Sequence, residues 1–160
     1  MTAPTPLDQA TVARLLIEQA EDGLVFADRE GIIRAWSAGA ERIFGFTRDE
    51  ALGQTLDLIV PERFREAHWS GYDRALEAGV TKYAGQLLPT RSARKDGTAI
   101  YVELSFAIIH DTAGAVIGAL AGARDITERF TREREERARL RALEEQVTGG
   151  TPPTTAAPNG

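Results

Sequence analysis

The sequence is organised around residues 61–79, PERFREAHWSGYDRALEAG. This stretch predicts one helix, because Pro61 suits the first helical position, where its missing N–H would be unpaired in any case. Gly79 suits the helix end. Side chains at steps of four share one inward face of that helix, namely Phe64, His68, Tyr72 and Leu76. His68, one of two histidines in the chain, is therefore predicted to look toward the interior.

Composition limits the classes of function. The chain has 160 residues and a net charge of −5, which fits one domain with flanking segments and lacks the basic footprint of a general nucleic-acid binder. No apolar run reaches the roughly 20 residues that cross a bilayer, and no secretory signal is visible. We therefore expect a cytoplasmic protein without nucleic acid or membrane as partners. The absence of cysteine excludes disulfides, thiolate metal sites and cysteinyl adducts.

Apolar segments separated by turn signals predict five strands, of which residues 98–110 alternate most clearly. Residues 23–28 and 32–36 flank a glycine-containing turn and form a hairpin. Three further strands are predicted after the long helix, at residues 82–94, 98–110 and 115–126. The hairpin and these three strands combine into one five-stranded antiparallel sheet with helices packed on one face. The predicted fold class is therefore α+β.

Cap signals predict further helices before the long one. A flanking N-terminal helix is predicted over residues 9–21, with a narrow apolar stripe formed by Val12, Leu15 and Leu16. Ser37 can cap a short helix that ends at Gly45. Thr47 and Glu50 form a capping box, which predicts a second short helix.

The C-terminal part of the chain has a different character. Residues 128–147 predict a charged helix, in which Glu128 and Arg132 make one of several favourable i,i+4 pairs. Its incomplete apolar stripe fits the start of a coiled coil. Residues 1–8 and 148–160 are predicted to be disordered, which leaves residues 22–127 as the folded domain.

Four segments of the chain stand in a recognisable order: ADREGIIRAWS at 27–37, IFGFTRDEALG at 43–53, RKDGT at 94–98 and RDITER at 124–129. Together they resemble the PAS family over essentially its full length. One departure is Ser37, where the family often has Asn. The resemblance implies a PAS sensor domain whose helices and sheet enclose a pocket. It also implies that residues 128–147 form a signalling helix, through which the chain pairs as a homodimer or with a partner signalling protein.

Within that family, residues 61–97 look most like the haem-binding oxygen sensors of the FixL type, in which a histidine on the long helix is the proximal iron ligand. His68 occupies that place, so the resemblance implies b-type haem with His68 as the metal ligand. The implied pocket residues are His68, Phe64, Tyr72, Tyr83, Leu88, Leu104 and Phe106. The arginine that binds oxygen in that type falls at Leu88 here. Such an apolar distal side would suit carbon monoxide, nitric oxide or redox sensing, unless Arg91 or Tyr83 reaches in.

Other interpretations remain open at this point. A single histidine on an apolar helix face is commonly a hydrogen-bonded core residue. The alternative function is a haem-free PAS dimerisation or interaction module with a filled core or a small apolar ligand. Flavin is disfavoured, because the chain has no cysteine for an adduct and lacks the tryptophan expected near residues 83–85. Catalysis has no support, since no nucleophile, phosphate loop or paired-carboxylate motif accompanies His68.

Overall fold

The computed structural model describes residues 7–149, so the parts of the predicted disordered segments at 1–6 and 150–160 lie outside the described residues. The chain falls into two compact units, which divide after Ile126. The elements of the first unit are α1 (Gln9–Gln19), β1 (Gly23–Asp28), β2 (Ile33–Trp36), α2 (Ala38–Phe44), α3 (Arg48–Ala51), α4 (Arg65–Ala78), β3 (Leu88–Ala93), β4 (Ala99–His110) and β5 (Val116–Asp125); the second unit contains α5 (Thr127–Thr148).

The five strands form one antiparallel sheet in the order β2-β1-β5-β4-β3. The predicted α+β fold with a five-stranded antiparallel sheet is therefore confirmed. The hairpin β1–β2 occupies one side and β3–β4 the other. The last strand, β5, inserts between them and becomes the central strand of the sheet.

The short helices begin where the cap signals place them. The Ser37 side chain accepts from the Ala40 N–H at the start of α2, and Gly45 ends that helix with a positive φ of 80°. Thr47 and Glu50 form the complete capping box of α3. Each cap satisfies backbone N–H groups that have no partner within the helix.

Two predicted boundaries are wrong by more than two residues. Residues 61–79 are not one continuous helix, because Pro61 has an extended ψ of 138° and precedes a short 3₁₀ turn, Glu62–Phe64, before α4 begins at Arg65. The strand predicted from residue 82 begins only at Leu88. Residues 82–85 form a turn instead, which Gly85 completes with a φ of 72°.

The core lies between one face of the sheet and the helices. This inner face is most tightly covered at what we call the sealed end, formed by Ile100 and Val102 of β4 and Ala123 of β5, each at most 1% exposed. The Trp36 and Phe44 rings, also 1% exposed, pack there with their centroids 5.5 Å apart. The Trp36 indole N–H donates to the Phe46 carbonyl at 3.1 Å, so its polar group is satisfied inside the core.

The second unit is dominated by α5, which carries no buried residue. Glu128 and Arg132 form the predicted salt bridge. Nε of Arg129 lies 3.9 Å from Oε1 of Glu133. Three apolar side chains are well exposed near its end, with Leu140 at 55%, Leu143 at 52% and Val147 at 80%. Among residues 7–149, no helix combines the length and apolar character that spanning a membrane requires.

Candidate ligand site between α4 and the sheet

Two contacts of Trp69 set the orientation of α4. Its ring packs against Gly31 in the β1–β2 turn, where an added Cβ would lie 2.2 Å from the ring. Its indole N–H donates to Oδ1 of Asp57 at 2.9 Å. The inward face of α4 therefore contains Trp69, Tyr72 and Leu76, a spacing of three and four, and not only the steps of four that the sequence suggested.

Phe64 does not share this face. It lies in the 3₁₀ turn before α4 and is 40% exposed, with the Arg63 guanidinium 4.6 Å from its ring centroid. Its predicted inward position is wrong, because the turn breaks the helical periodicity that would have aligned it with His68. Trp69, which steps of four leave off the inward face, instead packs against the buried core.

His68 lies on α4 between two aromatic rings of its own helix. Its ring centroid is 5.0 Å from that of Trp69, in an edge-on arrangement, and 5.9 Å from that of Tyr72. Nδ1 of His68 is buried and, within residues 7–149, has no hydrogen-bond partner. Burial lowers the pKa of His68, against a smaller opposing effect of the Asp57 carboxylate. The imidazole is therefore neutral at pH 7, which is the form that binds metals.

Tyr72, one turn after His68, ties α4 to the sheet. Its hydroxyl lies 2.7 Å from the carbonyl oxygen of Asp28 and 3.1 Å from that of Ala27, the last two residues of β1. Burial, followed by the nearby Asp28 carboxylate, raises the pKa of Tyr72 to about 12. The phenol therefore stays protonated and donates to these carbonyl groups at physiological pH.

The sheet opposite α4 presents an apolar floor. Register pairs Leu88 of β3 with Leu104 of β4, and pairs Phe106 of β4 with Ala121 of β5. Leu104 and Phe106 are only partly buried, unlike Ile100 and Val102 on the same strand and face. We call this region, residues 104–108 of β4 and 119–121 of β5, the open end of the inner face. Its β5 residues include the small side chains Ala119 and Ala121, both only partly buried.

The predicted pocket residues thus fall into two groups. His68 and Tyr72 lie on α4, while Leu88, Leu104 and Phe106 lie on the sheet. Tyr83 lies in the turn before β3 with its ring centroid 6.4 Å from that of Phe106, at the rim of the open end. Tyr72 and Leu104 both pack against the buried core.

Three residues that shape the site were not predicted: Trp69, Asp57 and Arg65. The Arg65 guanidinium donates to the backbone carbonyls of Val60 and Asp57, at 3.2 and 3.1 Å. It thereby holds the segment before α4 against the start of that helix. The spacing of Trp69, Tyr72 and Leu76 could have indicated the true face of α4, but the Asp57 and Arg65 contacts depend on tertiary structure.

These residues fit a largely apolar ligand that contains one atom able to accept an electron pair from the His68 nitrogen. The open end supplies apolar walls, and His68 supplies a neutral imidazole with a buried, unpartnered nitrogen. In the described part of the chain, no cluster of three or more His, Asp or Glu side chains could hold a metal ion. A haem needs no such cluster, because the porphyrin provides four ligands and the protein one axial histidine.

The PAS fold family matches residues 17–130 of the chain. The chain belongs to the PAS family. Among curated proteins, it is 28% identical over 137 residues to the sensor protein FixL of Bradyrhizobium diazoefficiens, covering 86% of this chain and 26% of that protein. It is 24% identical over 128 residues to the oxygen sensor protein DosP of Escherichia coli, covering 80% of this chain and 16% of that protein. This PAS chain thus spans about a quarter or less of each relative.

Solved structures agree with the PAS assignment. A PAS domain from Colwellia psychrerythraea superposes with a TM-score of 0.65 at 25% identity, over 76% of this chain and 99% of that one. An RNA-binding light-oxygen-voltage receptor superposes with a TM-score of 0.63 at 22% identity, over 92% of this chain and 42% of that one. The second likeness concerns the fold alone. The PAS domain described here is therefore similar to segments of sensor proteins.

Proposed function

We propose that this chain is a non-catalytic, cytoplasmic sensory module that binds b-type haem through His68 and responds to a diatomic gas or to redox state. The observation that carries the proposal is the buried, unpartnered Nδ1 of a neutral His68 beside the Trp69 and Tyr72 rings. The likeness to an oxygen sensor protein supports the same ligand class. When bound, haem would supply an iron centre for gas binding or electron transfer.

The residues around His68 have separate tasks in this proposal. His68 provides the axial nitrogen, while Trp69 and Tyr72 hold its ring on two sides. Leu88, Leu104 and Phe106 exclude water from the sheet side, with Tyr83 at the rim. Phe64 takes no part, because it lies exposed outside α4.

The polarity of the sheet side favours carbon monoxide, nitric oxide or redox change over a polar clamp on oxygen. Leu88 lies on the inner face opposite Leu104, whereas Arg91 pairs with Tyr101. Side chains alternate along a strand, so Arg91 lies on the outer face of the sheet. Arg91 therefore cannot replace the hydrogen-bond donor that Leu88 lacks.

A haemin titration followed by visible absorption tests the proposal. Wild-type protein should give a sharpened, shifted Soret band at one haemin per chain, and His68→Ala should lose it. His110→Ala is the matched control, because His110 lies exposed at the end of β4 and its removal should leave the spectrum unchanged. An unshifted wild-type band, or equal spectra for wild type and His68→Ala, would contradict haem ligation by His68.

A second function is favoured by the surface of α5: self-association or binding of a partner signalling protein. Leu140, Leu143 and Val147 are spaced by three and four residues and are more than half exposed, as in the seam of a coiled coil. On α1, Leu16 is 67% exposed, while Val12 and Leu15 are partly covered. This function needs no haem and is compatible with it.

Sedimentation velocity tests whether Leu140, Leu143 and Val147 of α5 form a dimer contact. We expect the full chain to sediment as a dimer, and the double variant Leu140→Lys, Leu143→Lys to sediment as a monomer, because like charges replace the apolar contact. The control Ala138→Lys, Ala142→Lys adds the same charge on other faces of α5 and should remain dimeric. A dimer that survives the Leu140 and Leu143 substitutions would place the main contact elsewhere.

A further inference from the structure

The Tyr72 hydroxyl occupies an unusual position for a side chain on a helix, at the edge between two paired strands. Its oxygen lies 2.7 Å from the Asp28 carbonyl oxygen and 3.1 Å from that of Ala27, both in β1. Ala27 and Asp28 pair with Ala119 and Gly118. We call these four residues the β1–β5 seam.

The seam has little room for adjustment. A Cβ added at Gly118 would lie 2.1 Å from the Ala27 carbonyl oxygen and 2.8 Å from the Phe26 ring. Only glycine therefore lets the two backbones approach this closely. The carbonyl group that Tyr72 contacts belongs to this close approach, so a movement of the hydroxyl must either carry the seam with it or break the hydrogen bonds.

The same side chain contacts the proposed ligand residue. The rings of Tyr72 and His68 lie 5.9 Å apart and are inclined by 31°, and the two residues are separated by one turn of α4. An α-helix moves as a rigid element over one turn. A change in the position of the His68 ring or of α4 therefore reaches the Tyr72 hydroxyl without passing through any loop.

The geometry points to Tyr72 as the positioning residue that couples His68 to β5, through its hydroxyl at the β1–β5 seam. The sequence places α5 directly after β5 and Ile126, so the coupled strand is the one that leads to the proposed signalling helix. This inference rests on the proposed role of His68 for its biological meaning, but the coupling between His68 and the seam can be measured without haem.

A double-mutant cycle of amide hydrogen exchange in the haem-free chain tests the coupling. The four proteins are wild type, His68→Ala, Tyr72→Phe and the double variant, and the measured amides are those of residues 26–28 and 118–121. We expect His68→Ala to change exchange at the seam by at least about threefold in the wild-type background and hardly at all in the Tyr72→Phe background, as for interacting neighbours. Equal changes in both backgrounds would overturn the proposal.

Tyr101→Phe is the matched control, because it removes a hydroxyl from β4 away from the seam. In that background the effect of His68→Ala on the seam should be unchanged; if it also vanished, the coupling would not be specific to Tyr72. Tyr72→Leu repeats the cycle, with the same expectation, if Tyr72→Phe does not fold.

Haemin addition then separates the two proposals. If the wild type binds haemin, we expect loading to alter exchange at the seam in wild type and not in Tyr72→Phe. If the wild type binds haemin but the effects of His68→Ala and Tyr72→Phe on hydrogen exchange are strictly additive, the coupling is refuted and the haem proposal is not. A non-additive cycle in a protein that takes up no haemin would support the coupling and refute the haem proposal.

Discussion

The sealed and open ends of the inner sheet face belong to the same strands but are covered very differently. On β4, Ile100 and Val102 are at most 1% exposed, whereas Leu104 and Phe106, the next residues on the same face, are only partly buried. On β5, Ala123 is sealed and Ala121 is not. The sealed end is filled by Trp36 and Phe44, while the open end faces α4.

This difference separates stability from ligand binding within one sheet. Close packing at the sealed end removes large apolar side chains from water and supplies most of the stabilising burial. The open end keeps apolar side chains partly uncovered, and apolar walls are the composition of many small-molecule sites. A ligand at the open end could therefore change without any change in the residues that hold the fold together.

The strongest test of the comparison is truncation of one large side chain at each end. Trp36→Ala should lower the free energy of unfolding by about 3–5 kcal/mol, because it leaves a cavity in a close-packed region and frees the Phe46 carbonyl. Phe106→Ala should cost less than about 2 kcal/mol, since its ring is already partly exposed. Urea unfolding monitored by circular dichroism measures both. Equal losses would mean that the two ends are packed alike.

Enlargement of a small residue probes the same contrast on one strand. Ala123→Leu should cost about 1–3 kcal/mol, because the sealed end has no room for three more carbons. Ala121→Leu, two residues away on the same face, should cost less than half as much, since Ala121 is only partly buried. Both values come from the same urea experiment. If Ala121→Leu proves the more damaging change, the open end is not open.

Removal of the His68 imidazole, whose Nδ1 is buried without a partner, should stabilise the haem-free chain. His68→Phe keeps an aromatic ring and eliminates the unpartnered Nδ1, so we expect the free energy of unfolding to rise by about 1 kcal/mol. His110→Phe, at an exposed position, should change it by less than about 0.5 kcal/mol. The same His68→Phe protein should fail to bind haemin. A loss of stability in His68→Phe would indicate that the imidazole makes a favourable contact in solution.

The pH dependence of stability should carry the signature of His68. Burial lowers its pKa below the ordinary value of 6.5, so the unfolded chain binds a proton at a higher pH than the folded chain. The free energy of unfolding should therefore fall as pH decreases below about 6.5, until the lower folded-state pKa is passed. Urea titrations at pH 8 and pH 5.5 should show a smaller decrease for His68→Phe than for wild type. Identical decreases would show that His68 titrates normally.

The parts of the structure that follow from local chemistry were predictable. Ser37 caps α2, and Thr47 and Glu50 form the capping box of α3. Such caps are predictable because they involve only residues a few positions apart. The alternation of Ile100 and Val102 likewise indicates the inner face of β4. The inward positions of Tyr72 and Leu76 followed from helical spacing.

The parts that depend on distant contacts were not predictable. The rotation of α4 is set by the contact of Trp69 with Gly31, two residues far apart in the sequence. The spacing of residues within a helix does not indicate such a distant contact. Phe64 was misplaced because the extended Pro61 and its 3₁₀ turn interrupt the periodicity. The late start of β3 has a similar cause, since the turn at Gly85 uses residues that could also form a strand.

The central position of β5 determines when the domain can complete its fold during synthesis. β1 and β2 pair across a short turn, and β3 and β4 do the same. No strand of one hairpin pairs directly with a strand of the other. Until residues 116–125 leave the ribosome, the inner edges of β1 and β4 have no strand to bind. Because long-range pairing is slow compared with hairpin formation, the arrival of the last strand joins two preformed halves, and a chain that ends before it retains two unpaired edges prone to association with other strands.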